Sequence, residues 1–137
     1  MKLALGLYWL GVAVAADYNR DIKPLLARKC FGCHGPGLQQ SHLRLDRRSD
    51  ALRGGESGVA AIEVGKSATS LLIRYVSGTD PKLVMPPTGP RLTAAEIALL
   101  REWIDAGAEY ADVSVSDAPK VDPRLAHWAF QIGRAHV

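Results

Sequence analysis

The chain has 137 residues, 47% of them apolar and 23% charged, with a formal net charge of +3. That length and mix suit one globular domain with a real core, and exclude a disordered, collagen-like or low-complexity chain. The 17 Lys and Arg are spread along the sequence rather than clustered, which argues against dedicated nucleic-acid binding. Two cysteines, Cys30 and Cys33, are too few for a disulfide scaffold.

Residues 1–16 read as a secretory signal peptide, 17–110 as the domain, and 111–131 as a linker. Lys2 supplies the positive start, residues 3–16 are apolar, and Ala13-Val14-Ala15-Ala16 offers small residues for cleavage after Ala15 or Ala16. The apolar run is shorter than the roughly 20 residues of a membrane span, so an uncleaved anchor is the lesser alternative. No cysteine lies near the cut, which excludes a lipoprotein. The mature chain is expected outside the cytoplasm, most simply in a bacterial periplasm, with no stable membrane span after cleavage.

Four segments carry structural signals. Asn19 can cap a helix over 20–29, with Pro24 in its first turn or bending it, and Ile22, Leu25 and Leu26 on one face. Residues 43–46 are a short, extended piece, and 49–52 one helical turn ended by Gly54-Gly55. Ser67 is a candidate cap for a helix over 68–76, with Leu71, Leu72 and Tyr75 inward and Gly78 past its end. The clearest helix covers 93–106. Thr93-Ala94-Ala95-Glu96 forms a capping box, Ile97, Leu100, Trp103 and Ile104 form one stripe, and Gly107 closes it. No alternating strand pattern or internal repeat is seen. The expected class is all-α, with about three to five helices and long loops that need something to organise them.

The chemistry lies in Cys30-Phe31-Gly32-Cys33-His34, the Cys-x-x-Cys-His signature for covalent attachment of c-type haem. Two thiols three positions apart lie on one side of a helical turn, matching the two vinyl groups of one haem. His34 follows directly, so its ring can become the proximal ligand to iron. A redox Cys-x-x-Cys would want a thioredoxin-like βαβ setting. A zinc site would need two further ligands, for which only His42 and His127 are at hand. A plain disulfide would leave His34 unexplained.

A second axial ligand is expected in Met85, the one methionine of the mature chain, within Val84-Met85-Pro86-Pro87. A proline-fixed loop can hold a thioether against iron, and a Met/His pair raises the reduction potential, as an electron carrier needs. His42 is the rival, but its position eight residues after His34 would demand a tight excursion. The Pro36 carbonyl is a candidate acceptor for the His34 Nδ1–H. Arg44, Arg47, Arg48 and Arg53 form a local basic run that reads first as a solvated face, and second as a contact for haem propionates or an acidic partner.

The order of these motifs resembles a class I cytochrome c, and more closely the planctomycete-type cytochrome c domain, over about residues 17–110. The residues that carry the closer likeness are Leu43-Arg44-Leu45-Asp46, Gly54-Gly55-Glu56-Ser57-Gly58, Ser70-Leu71-Leu72-Ile73-Arg74, Met85-Pro86-Pro87 and Trp103-Ile104-Asp105-Ala106-Gly107-Ala108. The resemblance implies crossed N- and C-terminal helices and loops wrapped around one covalent haem. Ile22, Leu25 and Leu26 would then pack against Ile97, Leu100 and Ile104, and Leu71, Leu72, Leu83 and Leu92 would face the haem or the core. Trp103 would be core filler or, as the lesser alternative, a haem neighbour.

The expected function is a periplasmic monohaem electron-transfer domain, not an enzyme by itself, serving redox partner proteins or a fused C-terminal domain. The alternative is a haem sensor or peroxidase-like enzyme with a labile sixth ligand. In the family such domains usually open a much larger protein. His127-Trp128-Ala129-Phe130 resembles the joint that follows the domain. The last six residues, 132–137, match a reading frame of a sequencing adapter, so the natural protein is expected to continue beyond them.

Overall fold

A computed structural model describes residues 15–111. The proposed signal peptide up to residue 14, the linker beyond Ala111, His127 and the adapter-like end lie outside these residues. Among those described, five α-helices and two irregular turns account for the regular structure, and the only sheet-like pairing is an isolated bridge between His34 and Gln39. None of these helices is long and apolar enough to cross a membrane.

The first helix begins earlier than Asn19 suggests. Asp17 is the cap: its carboxylate accepts the Arg20 amide at 2.7 Å, while its own amide donates to Asp21 at 2.9 Å. The opening turn, Tyr18–Ile22, is a π-turn that runs into α1 (Lys23–Lys29). Pro24 supplies no N–H, and the wide turn before it removes the need for one. Ile22, Leu25 and Leu26 are all buried, as the apolar spacing requires.

A short α2 (Phe31–His34) follows directly, then a 3-10 turn (Gln40–His42) and α3 (Arg48–Arg53), which ends at Gly54. α4 (Leu71–Val76) starts three residues later than Ser67 would set it, with Ser70 at its cap position. Ser67 is drawn elsewhere: its amide and hydroxyl both donate to the Asp105 carboxylate at 2.8 Å. That pair ties the loop before α4 to the end of α5 (Ala94–Asp105).

α5 carries the expected capping box, with the Glu96 amide 3.2 Å from the Thr93 hydroxyl and the Thr93 amide 2.8 Å from the Glu96 carboxylate. Gly107 follows at φ 122°, as a helix stop requires. α5 packs on the opening π-turn and on α4. At the first contact Tyr18, Trp103 and Tyr110 form an aromatic cluster with ring centroids 4.6 to 5.9 Å apart. Trp103 donates to the Glu109 carbonyl at 2.9 Å, and Tyr110 to the Leu45 carbonyl at 2.9 Å, so both polar tips are satisfied in the core. Leu100, Ile104 and Trp103 are buried with Ile22, Leu25 and Leu26 in one cluster, against which Ile97 packs half-buried. The expected meeting of the two apolar stripes is present, and Trp103 is core.

Candidate cofactor site

The longest loops enclose a cavity of about 450 Å³, within the range of roughly 300–1,000 Å³ for small-molecule and cofactor sites. Cys30, Cys33, His34 and Met85 all line it. The α1–α2 corner supplies the first three. The Cys30 amide closes α1 on the Leu26 carbonyl, and the His34 amide bonds the Cys30 carbonyl, both at 2.8 Å. This one turn turns both cysteines and the histidine to the same space. His34 is buried, and its carbonyl accepts the Leu45 amide at 2.8 Å, which pins the ring's backbone to the far loop.

The opposite wall comes from α4 and the loop after it. α4 has two working faces: Ile73 points to the core, whereas Leu71 and Tyr75 meet the cavity, and Leu72 and Val76 border both. Leu83 and Met85 follow on the loop, with the Met85 amide bonded to the Tyr75 carbonyl at 3.0 Å. Leu43, Leu45, Val59 and Ala61 complete the apolar lining, and Lys29, Gln40, Ser41, Glu56 and Ser57 supply the polar part. Leu92, expected at the haem or the core, lies in the core.

Close backbone approaches shape the third wall. Gly54 sits at φ +84°, where a Cβ would strike the Val59 carbonyl. A Cβ on Gly55 would strike the Ser41 carbonyl, which accepts the Glu56 amide at 2.7 Å. Ser41 and His42 are both left-handed, at φ 52° and 57°, and fold the chain sharply at the cavity edge. His42 is exposed and is not part of the lining.

Two subsidiary expectations fare differently. The His34 Nδ1 is buried without a hydrogen-bond partner among the described residues, so the Pro36 carbonyl does not serve it, and Pro36 is exposed. The basic run does not reach the cavity. Arg44 pairs with Asp46 and Arg53 with Asp50, while Arg48 donates to the Ala108 and Gly107 carbonyls at 3.0 and 3.2 Å. Of these, Arg48 alone joins distant segments, the other two pair locally, and Arg47 is exposed, as a solvated face would be.

The donor set discriminates among the chemistries open to Cys30 and Cys33. Both are free thiols. Burial, then the neighbouring Cys33, pushes the Cys30 thiol up to about 11, the reverse of what a redox-active Cys-x-x-Cys needs. Among the described residues no three His, Cys, Asp or Glu side chains converge as a metal set, so those residues by themselves offer no structural zinc site. Two thiols, an imidazole with an unpartnered nitrogen and a thioether around one apolar space fit a covalently held haem.

The wall residues Val76 and Val59 carry no motif of their own, and neither does Asp80, which accepts the Lys82 and Leu83 amides in the loop before Met85. A turn signal at Thr79-Asp80-Pro81 was the sequence feature that could have drawn attention to Asp80.

No curated protein and no solved structure matches the chain. Residues 30–89 match the family model described as Planctomycete cytochrome C, a stretch that runs from the first cysteine of the haem signature past Met85 and across the cavity walls. Over those residues the chain is similar to the planctomycete cytochrome c family.

Proposed function

We propose that the domain holds one haem through thioethers to Cys30 and Cys33, with His34 as proximal and Met85 as distal ligand, and passes single electrons. The observation that carries this reading is the convergence of those four side chains on one apolar cavity. When bound, the haem supplies a metal that exchanges one electron between ferric and ferrous forms. Each cysteine would hold it by adding its S–H across a vinyl double bond, the sulfur to one carbon and the hydrogen to the other.

The chain's own residues have three tasks. His34 presents a nitrogen from a buried ring held by backbone bonds on both sides. Met85 presents sulfur from a loop tied to α4. Leu43, Leu45, Ala61, Leu71 and Leu72 keep water from the site, and a dry site with Met/His ligation favours the less charged ferrous form and a raised potential. The domain is exported under the residue 1–16 signal, works in the periplasm, and relays electrons as the N-terminal part of a larger protein or to separate redox partners.

The test is an optical spectrum of protein exported in a host with cytochrome c maturation machinery, taken before and after acid-acetone extraction. The expected result is haem that stays with the chain and a weak far-red sulfur–iron band in the ferric form. Met85→Ala should keep the covalent haem, lose the band, lower the potential and open a ligand site. Covalent haem without the band in the parent protein would remove Met85 from the iron and favour a sensor or peroxidase-like enzyme. No covalent haem at all would return Cys30 and Cys33 to a disulfide or metal role.

A further inference from the structure

The loop that brings Met85 to the cavity has little core of its own: residues 78, 79, 81–83 and 87–91 are exposed. It starts from a Schellman stop at the end of α4, with the Thr79 amide on the Arg74 carbonyl at 3.2 Å and the Gly78 amide on the Tyr75 carbonyl at 3.3 Å. It returns when the Met85 amide reaches that same Tyr75 carbonyl. Between the two, Asp80 makes the reversal. One carboxylate oxygen accepts the Lys82 and Leu83 amides at 2.9 and 3.1 Å, and the other meets the Arg74 guanidinium at 2.8 Å.

We propose that Asp80 is the positioning residue for Met85: by accepting the Lys82 and Leu83 amides it closes the loop that sets the thioether in the cavity. This rests on the reading of Met85 as distal ligand. The amide bonds, rather than the ion pair, carry the effect. The Asp80 side chain is only 14% exposed, whereas Arg74 is 48% exposed, and a pair so open to solvent is worth little. Without the carboxylate the two amides turn to water, the loop samples open forms, and an external ligand competes better for the position Met85 would hold.

The test uses holoprotein of the parent, Asp80→Ala, Asp80→Asn and Arg74→Ala, followed by the far-red ferric band and by imidazole titration. Asp80→Ala is expected to weaken the band and bind imidazole about tenfold or more tighter, the scale of losing two loop hydrogen bonds. Asp80→Asn keeps an acceptor oxygen, and Arg74→Ala keeps the carboxylate, so both should stay within about threefold of the parent. An Asp80→Ala band and affinity equal to the parent's would overturn the proposal, as would an Arg74→Ala effect equal to that of Asp80→Ala. A parent protein with covalent haem but no sulfur band would instead overturn the ligand reading, and this inference with it. Hydrogen exchange on the parent holoprotein needs no variant: the Lys82 and Leu83 amides should be protected, and free exchange at both would also overturn the proposal.

Discussion

The two sides of this molecule are held by different means. Where the opening π-turn meets α5, Ile22, Leu100, Trp103 and Ile104 are buried and Tyr18 and Tyr110 stack beside them. Stability there comes from apolar area, and each side chain has many partners. Around the cavity, position is set by single backbone contacts: Gly54 against Val59, Ser41 with Glu56, His34 with Leu45, Met85 with Tyr75. A packed end can lose one contact and relax. A wall of single contacts can be shifted by one atom, which leaves its loops easily displaced.

The strongest way to break the packed side is Trp103→Ala. It removes the buried ring and its bond to the Glu109 carbonyl, and should cost about 3–5 kcal/mol in urea denaturation. A cost under about 1 kcal/mol would mean that the aromatic cluster does not hold the helices together.

Gly54→Ala attacks the other side. At φ +84°, and with a Cβ aimed at the Val59 carbonyl, it should cost roughly 1–3 kcal/mol. It should also lower the yield of covalent haem while leaving the far-ultraviolet helix signal intact. Unchanged yield and stability would show that the wall tolerates movement there.

Acid is the mildest probe, and it reaches both sides. The Lys82 amide first, then Leu83 and Arg74, hold Asp80 below its ordinary value, and the Ser67 amide and hydroxyl do the same for Asp105. The Thr93 amide lowers Glu96. Since the unfolded chain binds these protons more readily, their stabilisation is complete above the unfolded values and fades as pH falls through the lower folded ones. The urea midpoint should therefore be level for these groups above roughly pH 5 and fall below it. A midpoint that rises on acidification would contradict the assigned bonds.

Local signals that need only neighbours along the chain were readable. The capping box at Thr93 and Glu96, the Gly107 stop, the α3 turn ending at Gly54 and the apolar faces of α1 and α5 all formed as their spacing predicts. Caps chosen among several polar residues were not. Asp17 displaced Asn19 because its carboxylate pairs with the Arg20 amide inside the π-turn, and Ser67 left its helix because Asp105, 38 residues away, accepts both of its donors.

The sequence by itself determined the donor set: the Cys30-x-x-Cys33-His34 turn places its donors through the geometry of a single helical turn, which no distant residue needs to supply. It also determined the helical class, because capping and apolar periodicity act over a few residues. Only the tertiary structure decided the cavity. Bringing Met85 to the space beside His34 requires α4 to present its carbonyls to the returning loop, Asp80 to reverse that loop, and glycines to let backbones pass within contact. Those are meetings of residues far apart in the chain, and their partners are chosen by packing, so no local pattern records them.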